Sequence, residues 1–187
     1  MTRAFVAIDL PDPVRGALTV LQFLLPLPDR VEPAQFHLTL SFLDDLRDAE
    51  LEAVHEALAA LRMPAFALTL AGLGLFGGAT PRLAYAGVAP EPALLRLHAK
   101  VETAARRAGA SIPARRFVPH VTLGRFRHIA AEDALRLERA VAGHMDFRAG
   151  PFPVADFALI ESRLHRDGAR HTVLARYPLD GSSAVIA

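Results

Sequence analysis

Two short motifs with the form His-x-Thr-x stand far apart in the sequence. They are HLTL at residues 37–40 and HVTL at residues 120–123. Side chains alternate between the two faces of a β-strand, so each histidine shares a face with its threonine while the apolar residues enter the core. Two such strands related by a pseudo-two-fold axis would place two imidazoles and two hydroxyls around one cleft. Together these four groups would surround a space of the size of a phosphate.

The residue types in these motifs suit the hydrolysis of a cyclic phosphodiester. That reaction needs a base that takes a proton from water and an acid that protonates the departing ribose oxygen on the opposite side of phosphorus. Histidine titrates near neutral pH, so His37 and His120 can fill the two roles without a metal ion. The hydroxyls of Thr39 and Thr122 can donate to the non-bridging oxygens, where charge develops. A single His-x-Thr motif is usually structural, whereas two at equivalent places indicate catalysis.

The elements that must position the motifs follow one order twice, namely strand, helix, strand, helix, strand. Apolar periodicity and turn residues predict this order. In the first copy the predicted strands are 3–10, 36–43 and 65–76, and the helices are 11–25 and 48–61, the latter capped by Asp48. In the second copy the predicted strands are 82–88, 120–126 and 152–161, and the helices are 90–108 and 131–144. A last strand is predicted at 170–179, and the tail after Asp180 is expected to be loose.

This repetition predicts an internal duplication over residues 3–76 and 82–161, within a single domain that covers 1–187. Equivalent positions are Arg3 and Arg82, His37 and His120, and Phe66 and Phe147. Each copy is short and ends in a Gly/Pro turn, so the pattern favours an α+β fold with antiparallel or mixed sheets over a purely parallel sheet.

Composition narrows the class of protein. The chain has 187 residues, of which 52% are hydrophobic, so it can bury a core of its own. A net charge of only +1 argues against a protein that coats long stretches of nucleic acid. The chain has no cysteine, which excludes disulfides and fits the cytoplasm. We find no signal peptide or membrane-spanning run, and therefore expect no membrane partner.

At these motifs the sequence resembles the RNA 2',3'-cyclic phosphodiesterases, also called 2'-5' RNA ligases, of the two-histidine phosphoesterase superfamily. The similarity covers nearly the whole chain. It is carried by RAFVAIDLP, FHLTLSFL, FGGATPRLAYAGV, PHVTLGRF and FALIESRLHRDGARHTVLARYPL.

The resemblance implies a bilobal fold with a central cleft between two pseudo-symmetric lobes, each carrying one motif. It implies hydrolysis of a terminal 2',3'-cyclic phosphate on RNA to a 2'-phosphate, with a weak reverse activity that joins tRNA halves through a 2'-5' bond. In the family the first histidine is usually the proton donor and the second the acceptor, which gives His37 and His120 these roles. We expect a monomer that needs no metal or other cofactor.

Four further residues are candidates for substrate binding. Arg125 follows the second motif in the familiar HVTLxR pattern, but by strand alternation it points away from His120 unless the strand is bulged. Phe42 either stacks on a base or packs in the core, and the core is the commoner place for such a residue. Arg82 and Tyr85 lie on the strand equivalent to the cleft edge, where a structural role competes with binding.

The remaining histidines carry no metal-site spacing, and we expect them at the surface or at helix ends. They are His55, His98, His128, His144 and His165. His171 stands where family members often have tyrosine, so a stacking or gating role there is an open question.

Two other functions compete with the leading one. The first is an enzyme of the same fold that acts on a small cyclic phosphate, such as a nucleotide or an ADP-ribose derivative. The second is a module that binds an RNA end without turnover. The two intact His/Thr pairs argue against the second, because a pure binder does not need two groups that exchange protons.

Overall fold

The computed structural model describes residues 1–78, 80–165 and 168–180, with the side chain of residue 165 left out. The strands are β1 (Thr2–Asp9), β2 (His37–Leu46), β3 (Phe66–Phe76), β4 (Leu83–Val88), β5 (His120–Arg125), β6 (Arg148–Val154), β7 (Asp156–His165) and β8 (Gly168–Pro178). The helices are α1 (Asp12–Leu24), α2 (Asp48–Ala59), α3 (Pro92–Arg107) and α4 (Ala131–Ala142), and a 3-10 turn covers Pro33–Gln35. The tail that we expected to be loose lies outside the described residues.

The strands form one sheet in the order β6-β3-β4-β5-β2-β1-β7-β8. Every neighbouring pair is antiparallel, so the α+β prediction with antiparallel strands is confirmed. The two halves of the sheet meet at the centre, where Leu38 of β2 pairs with Val121 of β5. Each half therefore ends at the centre in a strand that carries one histidine motif.

The third strands of the two predicted repeats are exchanged between the halves. β3 follows the first motif in sequence but pairs with β4, in the half of the second motif. β7 follows the second motif but pairs with β1, in the half of the first motif. The duplication over 3–76 and 82–161 stays a prediction, and its units do not coincide with the two halves of the sheet.

The sheet is buried unevenly on its two faces. Ala4, Val6 and Ile8 of β1 enter the large core, whereas Phe5 and Ala7 belong to a small apolar cluster. The other members of that cluster are Ala158 and Ile160. β1 is buried on both faces, which explains its unbroken apolar run. Phe5 of this cluster contacts the ring of His37 and lines the cleft next to the first motif.

Two predicted elements were wrong in detail. The strand expected at 152–161 is two strands, because β6 pairs with β3 in one half of the sheet and β7 pairs with β1 in the other. β6 is an edge strand, where prolines such as Pro151 and Pro153 are tolerated.

Asp48 is the first residue of α2 and not its cap. The cap is Arg47, whose backbone N–H donates to the Glu50 carboxylate at 2.8 Å.

Candidate active site

The pairing of Leu38 with Val121 sets the geometry of both motifs. One residue to either side, the antiparallel register brings His37 opposite Thr122 and Thr39 opposite His120. Leu38 and Val121 are fully buried, so their neighbours point to the other face of the sheet, toward the cleft. Residues that face each other across such a pair have Cβ atoms about 4.5–5.5 Å apart. The two imidazoles therefore lie on one diagonal of this four-residue arrangement and the two hydroxyls on the other.

Both imidazoles are oriented in the same way by the backbone that precedes them. Nδ1 of His37 donates to the carbonyl of Gln35, and Nδ1 of His120 donates to the carbonyl of Val118, each at 2.7 Å. A carbonyl can only accept, so each bond fixes the proton on Nδ1. Nε2 is then the ring nitrogen left to exchange protons with a substrate.

Arg15 of α1 holds the turn that orients His37. Its guanidinium donates to the carbonyls of Leu10, Pro33 and Ala34 at 2.8, 3.0 and 3.2 Å. The last two belong to the 3-10 turn whose third residue, Gln35, accepts from His37. Arg15 therefore holds the residues that directly precede Gln35, whose carbonyl orients the His37 ring.

His37 is packed between two other rings. Its centroid is 4.9 Å from that of Phe5 and 5.2 Å from that of His171, which meets it edge-on at 78°. Nδ1 of His171 is buried without a hydrogen-bond partner among the described residues. His171 therefore belongs to the wall of the site.

His120 has its own aromatic neighbours on the other half of the sheet. Its ring centroid is 5.1 Å from that of Phe76 and 5.3 Å from that of Tyr85, and these two rings stack on each other at 4.4 Å. The candidate Tyr85 thus lies beside the second histidine. His120 stands edge-on to both of these rings, whereas His37 is edge-on to His171 and tilted by 34° to Phe5.

Burial controls the protonation of His37. The pKa of His37 is lowered from 6.5 to about 4, mainly by burial and in smaller part by the positive charges of His171 and Arg125. The hydrogen bond to the Gln35 carbonyl and the carboxylate of Asp9 act in the opposite direction. The imidazole of His37 is therefore neutral at neutral pH until an anion binds beside it.

The other cleft histidines respond in the same direction. Burial lowers the pKa of His120 and of His171, and the charge of Arg125 adds to both effects. Burial, followed by repulsion from Arg3, lowers the pKa of Arg125 itself, which nevertheless remains a cation. The charge of Arg125 therefore lowers the pKa of all three cleft histidines.

A cavity of about 490 Å³ opens beside His37. His37, Thr122, Arg125, Phe42 and His171 line it, together with residues of the 29–32 loop and of the β7–β8 hairpin. His120 does not line it and borders the cleft on the side of Tyr85. The charges in the lining are balanced. They are the cations Arg3, Arg30 and Arg125 and the acids Asp29, Glu32 and Asp44.

A β-bulge brings Arg125 into this cavity. Tyr85 pairs with Thr122 and Ala84 with Gly124, so Leu123 is the extra residue on β5. The bulge reverses the alternation that would have turned Arg125 away from Thr122. Of the two orientations left open by the sequence, the structure has the one toward the cleft.

A second bulge does the same for Phe42. Ala7 pairs with Thr39 and Val6 with Ser41, so Leu40 is the extra residue on β2. Phe42 consequently lies on the cleft face, 48% exposed, with its ring 6.0 Å from that of Phe5. The expected place of Phe42 in the core was wrong.

The remaining candidate, Arg82, is not brought to the cleft, and two of the other histidines have structural partners. Arg82 precedes β4, is exposed and does not line the cavity. His98 is not at the surface as expected, because its ring stacks on Phe117 at 3.8 Å and its Nδ1 donates to the Leu40 carbonyl. His55 bonds to the hydroxyl of Tyr177 at 2.8 Å.

No metal centre emerges from residues 1–78, 80–165 and 168–180, where no group of three or more His, Cys, Asp or Glu side chains is placed to hold an ion. In the same residues no helix is long and apolar enough to cross a membrane.

Several residues of the site carried no sequence signal. Asp9 is paired with His37 across β1 and β2, and its carboxylate binds Arg176, with Arg15 at 3.8 Å. The side chain of Gln35 donates to the carbonyl of Ala169 at 2.8 Å and so ties the turn before His37 to the β7–β8 hairpin. These contacts depend on strand order, which motif spacing does not report.

A continuous antiparallel sheet with a His/Thr pair from each half at its centre defines a two-histidine phosphoesterase. The sequence model of the 2'-5' RNA ligase superfamily matches residues 10–166. The chain belongs to the 2'-5' RNA ligase superfamily.

Two relatives carry the name RNA 2',3'-cyclic phosphodiesterase. The protein from Thermus thermophilus is 35% identical over 193 residues, which covers 96% of this chain and 91% of that protein. The protein from Geobacillus stearothermophilus is 35% identical over 128 residues, and this match covers 65% of this chain but only 41% of that longer protein. The names of these relatives indicate a phosphodiesterase.

Solved structures agree with this assignment over nearly the full length. The TT0787 protein of Thermus thermophilus has a TM-score of 0.78 and 30% identity, and the match covers 97% of this chain and 100% of that one. Escherichia coli LigT complexed with 3'-AMP has a TM-score of 0.76 and 26% identity, with coverages of 96% and 98%.

Proposed function

We propose that this protein hydrolyses the terminal 2',3'-cyclic phosphate of an RNA end to a 2'-phosphate, with His37 as proton donor and His120 as proton acceptor. The observation that carries the proposal is the register at Leu38 and Val121, which gathers two imidazoles and two hydroxyls on one face. The names of the relatives support the substrate class.

The reaction can be written with each proton assigned. Nε2 of His120 takes a proton from water as its oxygen attacks phosphorus. The bond between phosphorus and the ribose O3' breaks, and His37 gives its Nε2 proton to that oxygen. The 2'-phosphate remains on the ribose, and exchange with solvent restores both rings. The Nδ1 bonds to Gln35 and Val118 support Nε2 as the atom that exchanges protons in each ring, because they leave Nε2 free.

Binding of the substrate favours the protonated state of His37, which takes its proton from solvent. Its pKa of about 4 keeps the ring neutral in the free protein. A phosphodiester anion near the ring favours the imidazolium, so the proton is loaded as the anion enters.

Three further groups suit the phosphate. The hydroxyls of Thr39 and Thr122 flank the diagonal of the histidines and can donate to the non-bridging oxygens, where charge develops. Arg125 lines the cavity beside Thr122, and its guanidinium can bind two phosphate oxygens at once. Nothing in this scheme requires a metal ion.

The terminal base has two aromatic candidates. Phe42 offers an exposed face in the cavity, and Tyr85 stands beside His120. Stacking of this kind tolerates any base. The nucleotide complex of the LigT neighbour supports a nucleotide-sized cleft. Arg82 is not included, since its side chain is exposed outside the cavity lining.

The same steps join RNA ends when a 5'-hydroxyl replaces water as the nucleophile. Its oxygen attacks phosphorus, His120 takes the hydroxyl proton, the bond to O3' breaks with protonation by His37, and RNA ends such as tRNA halves are joined through a 2'-5' bond. All the site residues come from one chain, so we propose the monomer as the active unit. The lack of cysteine supports the cytoplasm as its compartment.

A small cyclic nucleotide is the second candidate substrate. The balanced charges of the cavity favour it, because three arginines facing three acids provide little attraction for an extended RNA backbone.

The test is to incubate the purified protein, in excess EDTA, with oligonucleotides ending in 2',3'-cyclic phosphate and with cyclic mononucleotides, and to identify the products by phosphorus NMR. We expect a 2'-phosphate from both, with higher kcat/KM for the oligonucleotide. A 3'-phosphate would contradict the assigned bond cleavage. Activity that EDTA abolishes and a divalent metal restores would contradict the metal-free mechanism.

A further inference from the structure

The two motif strands have the same sequence of buried and exposed residues. Residues 37–42 and 120–125 both alternate through the His-x-Thr positions, then bury two residues in succession and expose the sixth. The two successive buried residues mark the bulges at Leu40 and Leu123. The sixth residues are Phe42 and Arg125, the candidate base and phosphate contacts. The bulge is thus what adds a third cleft-facing position to each motif.

A bulge leaves backbone groups that the strand ladder does not pair, and buried groups of this kind need other partners. The carbonyl of Leu123 accepts from Nε2 of Gln22 at 2.7 Å and from the backbone N–H of Val31 at 3.0 Å. The carbonyl of Leu40 accepts from Nδ1 of His98 at 2.8 Å. Each bulge is therefore held by a polar side chain from a helix, Gln22 from α1 and His98 from α3.

Gln22 is the more informative of the two donors. It is only 5% exposed and lies on the apolar face of α1 with Val14, Leu18 and Leu21, where a hydrophobic residue would be expected. Its amide also donates to the carbonyl of Val31 at 2.8 Å. One buried amide thus joins α1, the 29–32 loop that lines the cavity, and the bulge beside Arg125.

The contact between the loop and the bulge is close. Arg30 forms an isolated bridge with Gly124. A Cβ atom on Gly124 would lie 2.6 Å from the carbonyl oxygen of Asp29, so only glycine allows the loop to approach this far. Arg125 is the next residue, and its direction depends on this packed backbone.

We propose that Gln22 is a positioning residue for the phosphate site, which acts through the Leu123 carbonyl to keep the bulge that aims Arg125 into the cleft. This inference rests on the proposed function for its kinetic consequence. Gln22 touches no substrate. It fixes the direction of the residue that does.

The substitution that tests this is Gln22→Met, which keeps the length of the side chain and removes both donors. We expect kcat/KM on a 2',3'-cyclic phosphate to fall about tenfold to a hundredfold, the loss expected when a binding group moves by about 1 Å. Leu18→Ala is the matched control, since Leu18 is fully buried on the same helix but bonds neither carbonyl. It should lower the melting temperature while leaving kcat/KM within about twofold.

A double-mutant cycle separates positioning from general damage. If Gln22 acts through Arg125, then Gln22→Met should have little further effect on a protein that already carries Arg125→Ala. The same substitution combined with Phe42→Ala should show the full loss, because Phe42 depends on the other bulge. Equal losses in the wild-type and Arg125→Ala backgrounds would overturn the inference and leave the proposed function intact.

A readout without turnover keeps the two hypotheses distinguishable. In nitrogen-15 NMR spectra, the Nε–H signal of Arg125 should move in Gln22→Met and stay in place in Leu18→Ala. Inorganic phosphate should shift that signal in the wild type and require a higher concentration in Gln22→Met. If the wild type fails to hydrolyse cyclic phosphates but these shifts occur, the proposed function fails and the positioning role stands. An Arg125 signal unchanged by Gln22→Met contradicts the positioning role.

Discussion

His37 and Thr122 lie opposite each other across the antiparallel junction of β2 and β5, although they come from motifs that are far apart in the chain. Thr39 and His120 face each other in the same way. Each imidazole therefore has as its cross-strand neighbour the hydroxyl of the other motif. Each such His/Thr pair combines residues from different halves of the sheet, and we propose that these two pairs act on the phosphate.

Substitution of the threonines should therefore affect activity without affecting the stability of the fold. Thr122→Ala and Thr39→Ala should each lower kcat about tenfold to a thousandfold, as the loss of one donor to a developing charge does. Both residues are half-buried, so the melting temperature should change little. Thr122→Ser, which keeps the hydroxyl, is the matched control and should retain most of the activity. Wild-type rates in both alanine variants would show that the threonines have no role beyond their place in the strands.

The buried His37 should also make the protein sensitive to acid. Its folded-state pKa of about 4 lies below the ordinary value of 6.5, so the unfolded chain binds this proton more tightly. Stability is therefore lost as pH falls from about 6.5 toward 4, by up to about 3 kcal/mol at about 1.4 kcal/mol for each tenfold change in proton affinity. Urea unfolding at pH 7 and pH 4.5 measures this loss. His37→Gln should lose correspondingly less, and an equal loss in both proteins would exclude His37 as the source.

The pH dependence of kcat/KM reports the free enzyme, in which the pKa values of both His37 and His120 are lowered. We expect a bell-shaped profile whose two limbs belong to the coupled pair and whose maximum lies between about pH 4 and 6.5. The profile of kcat should be displaced to higher pH, since the bound anion favours the protonated rings. A kcat/KM that keeps rising through the alkaline range would mean that no protonated histidine takes part.

The sequence predicted the motif strands well because their signals are local. His-x-Thr, strict alternation and the flanking apolar residues lie close together in each strand, and the predicted duplication assigned His37 and His120 to corresponding strands. The antiparallel sheet was one of two open possibilities, and the exchange of β3 and β7 between halves was not foreseen. Strand order depends on contacts between distant segments, which periodicity does not report.

The directions of Phe42 and Arg125 show a second limit. Strict alternation puts each on the face opposite its histidine, and only a bulge reverses that. The bulges are stabilised by Gln22 and His98, which lie 101 and 58 positions from the carbonyls they bond. Leucine at the bulged position carries no distinguishing signal. A single sequence can therefore state that a bulge would turn the side chain toward the cleft, but it cannot show that the bulge is present.

The measurement that tests the central claim most directly compares two leaving groups in His37→Ala and His120→Ala. A ribose oxygen needs a proton to depart, whereas a nitrophenolate does not. We expect His37→Ala to be severely impaired on a 2',3'-cyclic phosphate and substantially recovered on a nitrophenyl phosphodiester that the wild type accepts, while His120→Ala stays impaired on both because water must still be activated. Recovery of His120→Ala alone would exchange the two roles. Wild-type turnover of the cyclic phosphate by either variant would contradict the account of a catalytic histidine pair.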